Sequence, residues 1–417
     1  MGIVRQIREL LGTNQALGAA GLFSSQIMLN LSFFVILLVA SITLDSEEFA
    51  KLSLGMGWVN VLANVFSFGI DQAALKLGFE RKNSGFVATN VYLKGALLCG
   101  VFSAILIGTS TLVIRTDIAV VCAAAAGVAF WTSARTIELF QKNFGRLAVL
   151  NLVLASSRIL AGGLAIFSHS STVVLIAIHL VAQLPIHLFT LMHTLRALCT
   201  QAQPRLLLPM FKVAPIMFAS SVLFTALPVL TQQTMFNNGD TAAASAFGAV
   251  LIFVAPLYVV SSTLRAYLLP KILDPAAKPS LGKAYFLPLL MLWAVLGLGT
   301  AFVVSFIIPF VYGSRLPLVQ PFAAVYLSAF ILIGVLGLMN LSSQRGSLII
   351  VDLAVNIARF VAVWLACLLI KDPSKLVNFT AFTLLAGELT LRGILFVHER
   401  RGNCGKIKGE LELQQNS

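Results

Sequence analysis

The sequence contains little charge. Of its 417 residues, 11% are Asp, Glu, Lys or Arg, whereas 58% are hydrophobic, and the mean hydropathy is +0.93. A soluble domain carries roughly a quarter of charged residues, because polar side chains must cover the surface that faces water. The composition therefore excludes a water-soluble globular protein and places the chain in a lipid bilayer.

Motifs for catalysis and for cofactor binding are also absent. The sequence has no GxxxxGK[ST] phosphate loop, no HExxH motif, and no Ser-His-Asp or paired-carboxylate arrangement. Its longest polar connections, residues 196–212 and 265–283, are too short to fold as a domain. The five cysteines show neither paired nor metal-ligand spacing. We therefore expect no enzyme activity, no cofactor, no metal site and no disulfide framework.

Apolar runs long enough to span a membrane recur along the whole chain. A spanning helix needs roughly 20 apolar residues, and lipid cannot satisfy an open sheet edge, so each run is predicted to be a helix. The first run is too long for the core of a signal peptide, so we expect it to be retained. The prediction is an all-α polytopic membrane protein of about twelve transmembrane helices, near residues 16–42, 52–75, 86–114, 118–137, 147–167, 172–195, 211–235, 241–264, 284–311, 319–341, 347–370 and 377–397.

The net charge of +13 orients these helices. With a cytosolic N-terminus, 19 of the 29 Lys and Arg residues fall in inner segments, five in outer segments and five within the runs. An excess of Lys and Arg marks cytosolic loops, so both termini are predicted to be cytosolic. A nucleic-acid binder would instead collect its basic residues on one solvated face. We therefore expect no nucleic-acid partner.

The two halves of the sequence repeat each other. A shift of 201 residues places Asn151 on Asp352 and Arg158 on Arg359, at the fifth and eleventh predicted helices. Such a match at equivalent helices indicates duplicated halves, as found in many transporters. It predicts two six-helix lobes related by a pseudo-two-fold axis, residues 1–200 and 201–417.

Arg158 and Arg359 lie near the middle of their predicted spans. A charge at that depth costs about 3 kcal/mol on insertion scales, so it should face the bundle interior or a wet cavity. We expect both guanidinium groups to point toward the space between the two lobes. On the eleventh helix, Asp352, Asn356 and Arg359 share one face by their i, i+4, i+7 spacing. The alternative is structural, with Asp352 neutralising an arginine between helices. One carboxylate cannot neutralise both arginines, which favours a functional role.

Polar stripes on other helices indicate either a cavity lining or a polar seam between helices. The second helix carries Asn60, Asn64, Ser67 and Asp71 on one face, and a shorter stripe occurs on the first helix. We expect Glu388 and Arg392 on the last helix to pair with each other. The predicted substrate-binding residues are Arg158, Arg359, Lys94, Asn151, Asn356, Asn60, Asn64, Gln26 and Asn30. The predicted coupling or gating residues are Asp352 and Asp71.

Two local motifs resemble a known family. The segment 44–55 (LDSEEFAKLSLG) and the helix end 68–75 (FGIDQAAL) are similar to the polysaccharide (O-antigen-type) flippases. These belong to the multidrug/oligosaccharidyl-lipid/polysaccharide exporter superfamily. The segment 238–248, in the second half of the sequence, resembles the same motif more weakly. The chain departs from the family pattern because Phe49 is followed by Ala50, where a Tyr-Gly pair is usual.

The resemblance implies two lobes around a central cavity that opens alternately to the two sides of the bacterial inner membrane. The implied substrate is an undecaprenyl-diphosphate-linked oligosaccharide, and the implied partners are membrane lipids, a polysaccharide polymerase and glycosyltransferases. Independently of the resemblance, two deep arginines suit a diphosphate, and the amide stripes suit sugar hydroxyls.

Three alternatives remain open. One is a cation-coupled multidrug exporter of the same fold, which would need acidic residues in its cavity. Another is a membrane-bound polysaccharide polymerase or glycosyltransferase, which would need a larger outer loop. A sugar or ion carrier of the major facilitator type would also have twelve helices.

The charge distribution predicts a testable topology. We expect single cysteines at Ser46, Asn238 and Ser314 to react with an impermeant maleimide added to intact cells. Cysteines at Lys82 and Lys278 should react only after the cells are opened, because they replace basic residues of inner loops. Labelling of Lys406→Cys from outside would contradict the twelve-helix arrangement.

Overall fold

The computed structural model describes residues 13–70, 73, 116–140, 144–186, 188, 192, 207–273, 281–340 and 348–415. These residues form helices joined by short turns. We number the helices α1 to α12 in chain order: Thr13–Thr43, Ser46–Ser67, Thr116–Phe140, Phe144–Ile166, Ser171–Ile176, Leu207–Asn237, Thr241–Leu273, Leu281–Phe302, Ile308–Tyr312, Val319–Met339, Leu348–Leu369 and Pro373–Gln415.

The all-α polytopic prediction is confirmed. Within the described ranges, nine helices are long and apolar enough to cross a membrane, by length and composition, and two further apolar helices are shorter. The third predicted span, residues 86–114, lies outside the described residues, as do Asp71 and Lys94. Eleven of the twelve predicted spans therefore correspond to described helices.

Helix α2 begins earlier than the sequence predicted. We expected it to start near residue 52, after a charged loop, but it starts at Ser46. Asp45 caps it, because its carboxylate accepts a hydrogen bond from the Glu48 backbone N–H at 2.7 Å. Two acidic residues, Glu47 and Glu48, then lie in the first turn, where the helix dipole favours negative charge. The hydropathy pattern missed this start because the stabilising residues are polar.

Two predicted helices are interrupted by π-helical turns. The turn Ala177–Val181 follows α5, and the turn Val303–Ile307 joins α8 to α9. Each lies just before a proline, Pro185 or Pro309. Proline has no N–H to donate and its ring crowds the preceding turn of an α-helix, and a π turn is one way to accommodate the local change in hydrogen bonding.

The same pairing of helices occurs in both halves. We call α1 to α5 the N-terminal lobe and α6 to α12 the C-terminal lobe. In the N-terminal lobe, α1 packs along α4, and in the C-terminal lobe, α6 packs along α11. These are the first and fifth predicted helices of each half, as the 201-residue repeat requires.

The lobes meet along α1, α2, α6 and α7. At the end that the charge distribution places outside, the Ser41 and Tyr312 hydroxyls lie 2.7 Å apart, and Arg315 donates to the Leu44 carbonyl. At the other end of α2, Gly69 has φ +64°, and a Cβ there would lie 2.6 Å from the Ala214 carbonyl oxygen. A residue with a side chain could not approach α6 so closely, which explains the glycine of the family-like motif.

Candidate functional site

Arg158 lies inside the N-terminal lobe, on α4. Its side chain is 8% exposed, and its guanidinium carbon is 5.4 Å from the ring centre of Phe33 on α1. The Nε atom is fully enclosed and has no acceptor. Within the described part of the chain, the ring of Phe33 supplies the contact that stabilises this cation. Arg158 is therefore a buried positive charge without an anionic partner there.

A histidine packs against the same phenylalanine as Arg158, and a glutamine contacts that histidine. The ring of His179 is 6.2 Å from the Phe33 ring. The Gln183 amide nitrogen lies 3.1 Å from His179 Nδ1, and the Met56 sulfur lies 3.1 Å from Nε2. His179 is 3% exposed and Gln183 is fully buried. The Gln183 Oε1 atom is enclosed without a donor.

Arg359, on α11, has a different environment inside the C-terminal lobe. It donates to the Glu388 carboxylate at 3.0 Å, to the Leu384 carbonyl at 2.8 Å and to the Asn356 amide oxygen at 2.8 Å. Its guanidinium carbon also lies 5.7 Å from the ring centre of Phe224 on α6. The side chain is 3% exposed. Arg359 thus has a carboxylate, two neutral acceptors and an aromatic face.

Polar contacts extend from Arg359 in both directions. The Asn356 amide donates to the Ser220 hydroxyl at 2.8 Å, and Ser220 donates to the Asp352 carboxylate at 2.6 Å. On the other side, the Asn340 amide donates to the Glu388 carboxylate at 2.8 Å. We call these residues and Arg359 the C-lobe network. It joins α6, α11, α12 and the end of α10, so these hydrogen bonds connect helices within the C-terminal lobe.

A glycine makes room for the C-lobe network. The Arg359 guanidinium lies directly against Gly387 on α12, where any Cβ would collide with it. The absence of a side chain lets α12 approach α11 closely enough for Glu388 to reach the arginine.

The structure bears on two sequence predictions about these arginines. We expected both guanidinium groups to face the space between the lobes. The described contacts of Arg359 lie instead within its own lobe, and those of Arg158 also involve only N-terminal residues. We also expected Glu388 to pair with Arg392, one turn away on α12. Glu388 has a partner on another helix that we did not predict, because it lies 3.0 Å from Arg359 on α11.

The remaining predicted site residues are dispersed. Asn151 is fully buried and donates to the Ser25 hydroxyl on α1 at 2.9 Å. On α1, the Asn30 side chain donates to the backbone carbonyl of Gln26 in its own helix. On α2, Asn60 is exposed, whereas Asn64 donates to Thr225 on α6 at 3.3 Å and so contributes to the lobe interface. These contacts do not bring the residues together in one site. Their contact with a substrate stays a prediction.

The sequence did not indicate which residues contact the two arginines and the polar residues seven positions before them. Ser25 and Ser220 occupy equivalent roles, because each bonds the residue seven positions before the arginine of its lobe. Phe33 and Phe224 are likewise the aromatic partners of the two arginines, on the first helix of each lobe. A serine or phenylalanine in an apolar helix gives no signal by itself. Among the residues that the structure describes, no group of three potential ligands could hold a metal ion.

Solved structures with the same fold are all-helical membrane transporters. An outward-facing multidrug resistance MATE family transporter of the MOP superfamily is 13% identical, covers 93% of this chain and 96% of its own, and superposes with a TM-score of 0.68. The chain has the same fold as this transporter. A Vibrio cholerae MATE transporter mutant is 14% identical over 90% of this chain and 95% of its own, with a TM-score of 0.64.

A third neighbour is distinguished by the polarity of its binding pocket. It is a MOP-superfamily transporter from Pyrococcus furiosus, described as having a binding pocket of reversed polarity that suggests a different function. It is 12% identical over 92% of this chain and 95% of its own, with a TM-score of 0.66. No protein-family model and no curated protein sequence matches the chain. At these identities the comparisons show the fold.

The C-lobe network predicts how stability responds to loss of one charge. Glu388→Ala should destabilise the protein by about 3–5 kcal/mol, because it leaves Arg359 buried without its counter-ion. Replacing both charges, Glu388→Gln with Arg359→Met, should recover much of this loss. The measurement is thermal unfolding in detergent, with Leu389→Ala on the exposed face of α12 as the control. Equal melting temperatures for Glu388→Ala and Leu389→Ala would contradict a structural pair.

Proposed function

We propose that this chain is an alternating-access transporter of an anionic, lipid-linked oligosaccharide, translocated across the bacterial inner membrane. The observation that carries the proposal is Arg158, a deeply buried guanidinium that has no carboxylate partner among the described residues, unlike Arg359. A buried charge without a partner costs several kcal/mol. A protein that keeps such a charge for function offers it to an anion that comes from outside the fold.

The charge of the remaining interior supports an anionic substrate. Two carboxylates of the C-terminal lobe, the half-buried Asp352 and the buried Glu388, are already hydrogen-bonded within the C-lobe network. In the described part of the N-terminal lobe, the buried Glu138 carboxylate lies 3.6 Å from Arg146. An organic cation would therefore have to displace an existing partner, whereas an anion would find in Arg158 a cation with no carboxylate partner among the described residues.

The energetics of export require no nucleotide. Moving a dianionic diphosphate out of a cell with a negative interior is favoured by about 2.3 kcal/mol per charge per 100 mV. The lipid tail can remain in the bilayer while the glycan head passes between the lobes. Glycosyltransferases would build such a lipid-linked substrate, and a polysaccharide polymerase would consume it after translocation.

A cation-coupled multidrug exporter is the second candidate, and the comparisons favour it over the flippase. The similar solved structures include transporters described as multidrug resistance or MATE proteins. In this alternative, Asp352 or Glu388 would exchange between a coupling cation and its present partners. The same comparisons favour a transporter over a membrane-bound polymerase or glycosyltransferase. The fold is common to several substrates, so the charge of the site must decide between them.

The first test replaces the unpaired arginine. We expect Arg158→Ala to lower translocation of an undecaprenyl-diphosphate-linked oligosaccharide in proteoliposomes at least tenfold, because the cation that attracts the head group is gone. Arg158→Lys should recover only part of the activity, since an ammonium group lacks the planar donor fork. Lys212→Ala removes the same charge from an exposed site on α6 and should leave the rate unchanged. Normal translocation by Arg158→Ala would overturn the proposal.

The second test separates the flippase from the drug exporter. Asp352→Asn keeps an acceptor for Ser220 while removing a negative charge from the C-lobe network. We expect this variant to translocate the lipid-linked oligosaccharide at a reduced but measurable rate. It should leave resistance to cationic dyes unchanged in cells that express it. Loss of dye resistance together with intact oligosaccharide translocation would favour the multidrug exporter.

A further inference from the structure

We infer that the two lobes turn about a fixed seam between α2 and α6 and part at a polar gate on the outer side of that seam. The fixed seam is formed by Gly57, Val61 and Gly69 of α2 against Ala214 and Val229 of α6. The polar gate is formed by Ser53, Gln232, Ser245 and Gly248. The inference rests on the proposed function for the motion, alternating access, and adds which contacts between the lobes persist and which break.

The fixed seam brings two helices of different lobes close together. Gly57 has no side chain, and a Cβ there would lie 2.8 Å from a methyl carbon of Val229. Val61, Ala226 and Val229 form a buried apolar cluster at the same place. Lipid tails are as apolar as these side chains, so close packing of small residues is what holds such helices together. Separating the two surfaces would lose their contacts without a new partner, so the seam should persist.

The inner end of α2 is held against α6 by a strained turn. Phe68 has φ 47° and Gly69 has φ 64°, so both residues are in the left-handed region. This conformation is unfavourable for phenylalanine and persists only where the surrounding contacts hold it. The Phe68 ring stacks on the Phe218 ring of the other lobe, with the ring centres 5.0 Å apart. This contact fixes the inner end of the seam.

Helix α7, the repeat of α2, continues without such a turn. Both helices are capped by an aspartate, Asp45 in α2 and Asp240 in α7. Thr263 lies as far from Asp240 as Phe68 lies from Asp45, and α7 is helical there and onward to its end. The strained turn therefore belongs to one of the two repeated helices, which points to a separate role for α2.

Toward the outer end of α2, one turn before Gly57, the contact between the lobes becomes polar. The Gln232 amide on α6 donates to the Ser53 hydroxyl on α2 and to the Ala244 carbonyl on α7 at 3.0 Å. Gly248 on α7 faces both side chains, and any Cβ there would collide with Ser53 and Gln232. Ser53 thus meets two helices of the other lobe at one point. Hydrogen bonds of this kind can be exchanged for bonds to water when the lobes part.

Two polar atoms of the gate have no partner among the described residues. Gln232 and Ser245 are fully buried, and neither the Gln232 Oε1 atom nor the Ser245 hydroxyl has a hydrogen bond there. Ser245 lies one turn before Gly248, on the same face of α7. A buried polar group without a partner is costly, and water would supply one as soon as the lobes part. In the seam, by contrast, the Asn64 amide already donates to Thr225. The gate is therefore the contact that opens.

Two further contacts between the lobes lie on the same side as the gate. The Ser41 hydroxyl lies 2.7 Å from the Tyr312 hydroxyl, and Arg315 donates to the Leu44 carbonyl. Both are hydrogen bonds, as in the gate, so water can replace them too. Opening at this end would expose Ser41, whose exposed fraction is 2% in the structure. The accessibility of residue 41 therefore reports whether the gate is open.

The experiment locks either contact with a disulfide in the full chain, after its five native cysteines are replaced by alanine. Gly57→Cys with Val229→Cys locks the seam, because a Cβ at residue 57 lies 3.6 Å from the Val229 Cβ, within the range of disulfides. Ser53→Cys with Gly248→Cys locks the gate, where the corresponding distance is 2.8 Å and a small separation suffices. Each pair is compared oxidised and reduced, so each variant is its own control.

The first measurement is labelling at Ser41→Cys by an impermeant maleimide added to intact cells. Locking the seam should leave the labelling rate within about twofold of the reduced protein. Locking the gate should slow labelling about tenfold or more, because the outer end no longer opens. The second measurement is translocation of the lipid-linked oligosaccharide in proteoliposomes. It should persist with the seam locked, fall about tenfold or more with the gate locked, and recover on reduction.

Several outcomes separate the gate from the proposed function. Slow labelling with the seam locked, or unchanged labelling with the gate locked, would overturn the inference. If labelling follows the gate but even the reduced protein translocates no lipid-linked oligosaccharide, the proposed function fails and the gate stands. If translocation continues with the gate locked, the gate fails and the function stands.

A second pair of positions covers failure of Gly248→Cys to fold. Ser41→Cys with Tyr312→Cys, bridged by a short bismaleimide, locks the same end of the two lobes, because the native side chains are in contact there. We expect translocation by this variant to fall about tenfold or more after bridging. Unchanged translocation after bridging would overturn the inference.

Discussion

A guanidinium group held at the middle of a bilayer must be compensated, and this requirement organises both lobes. In the C-terminal lobe the compensation is internal: Glu388 reaches Arg359 across α11 and α12 because Gly387 leaves the space. Ser220 and Asn356 then extend the hydrogen bonds to Asp352. In the N-terminal lobe the same helix position carries Arg158, which has no carboxylate partner among the described residues. Within the described part of the chain, the arginine of one lobe is therefore neutralised and that of the other is not.

Much of the architecture followed from the sequence because hydropathy and the length of a span are strong constraints in lipid. Eleven predicted spans correspond to described helices, and the repeat that aligned Arg158 with Arg359 corresponds to equivalent packing of α4 and α11. Errors arose where polar residues stabilise a helix end, as at Asp45, or where proline is accompanied by a π turn, as before Pro309. Neither helix capping nor a π turn changes the mean hydropathy of a sequence window as long as a membrane span.

The site was harder to predict than the fold. The arginines were found from their depth, but their partners were not, because each partner lies on a different helix. Glu388 was assigned to Arg392 by local spacing, and the long-range contact with Arg359 has no signature in sequence distance. Phe33, His179 and Gln183 look like ordinary residues of apolar helices until the fold brings them to Arg158. For the remaining residues of the polar stripes, contact with a substrate stays a prediction.

The lack of a counter-ion for Arg158 among the described residues has an electrical consequence. If the lobes rock against each other during the transport that we propose, the C-terminal lobe moves the neutral pair Arg359–Glu388, whereas the empty N-terminal lobe moves an arginine that no described carboxylate neutralises. A full elementary charge crossing 100 mV corresponds to about 2.3 kcal/mol, so movement through part of that distance still biases the equilibrium. A negative cell interior would hold the empty carrier with its cation toward the cytosol. Once a dianion is bound, the net charge reverses sign and the same voltage drives the loaded carrier outward. The membrane potential would thus return the empty protein and expel the loaded one.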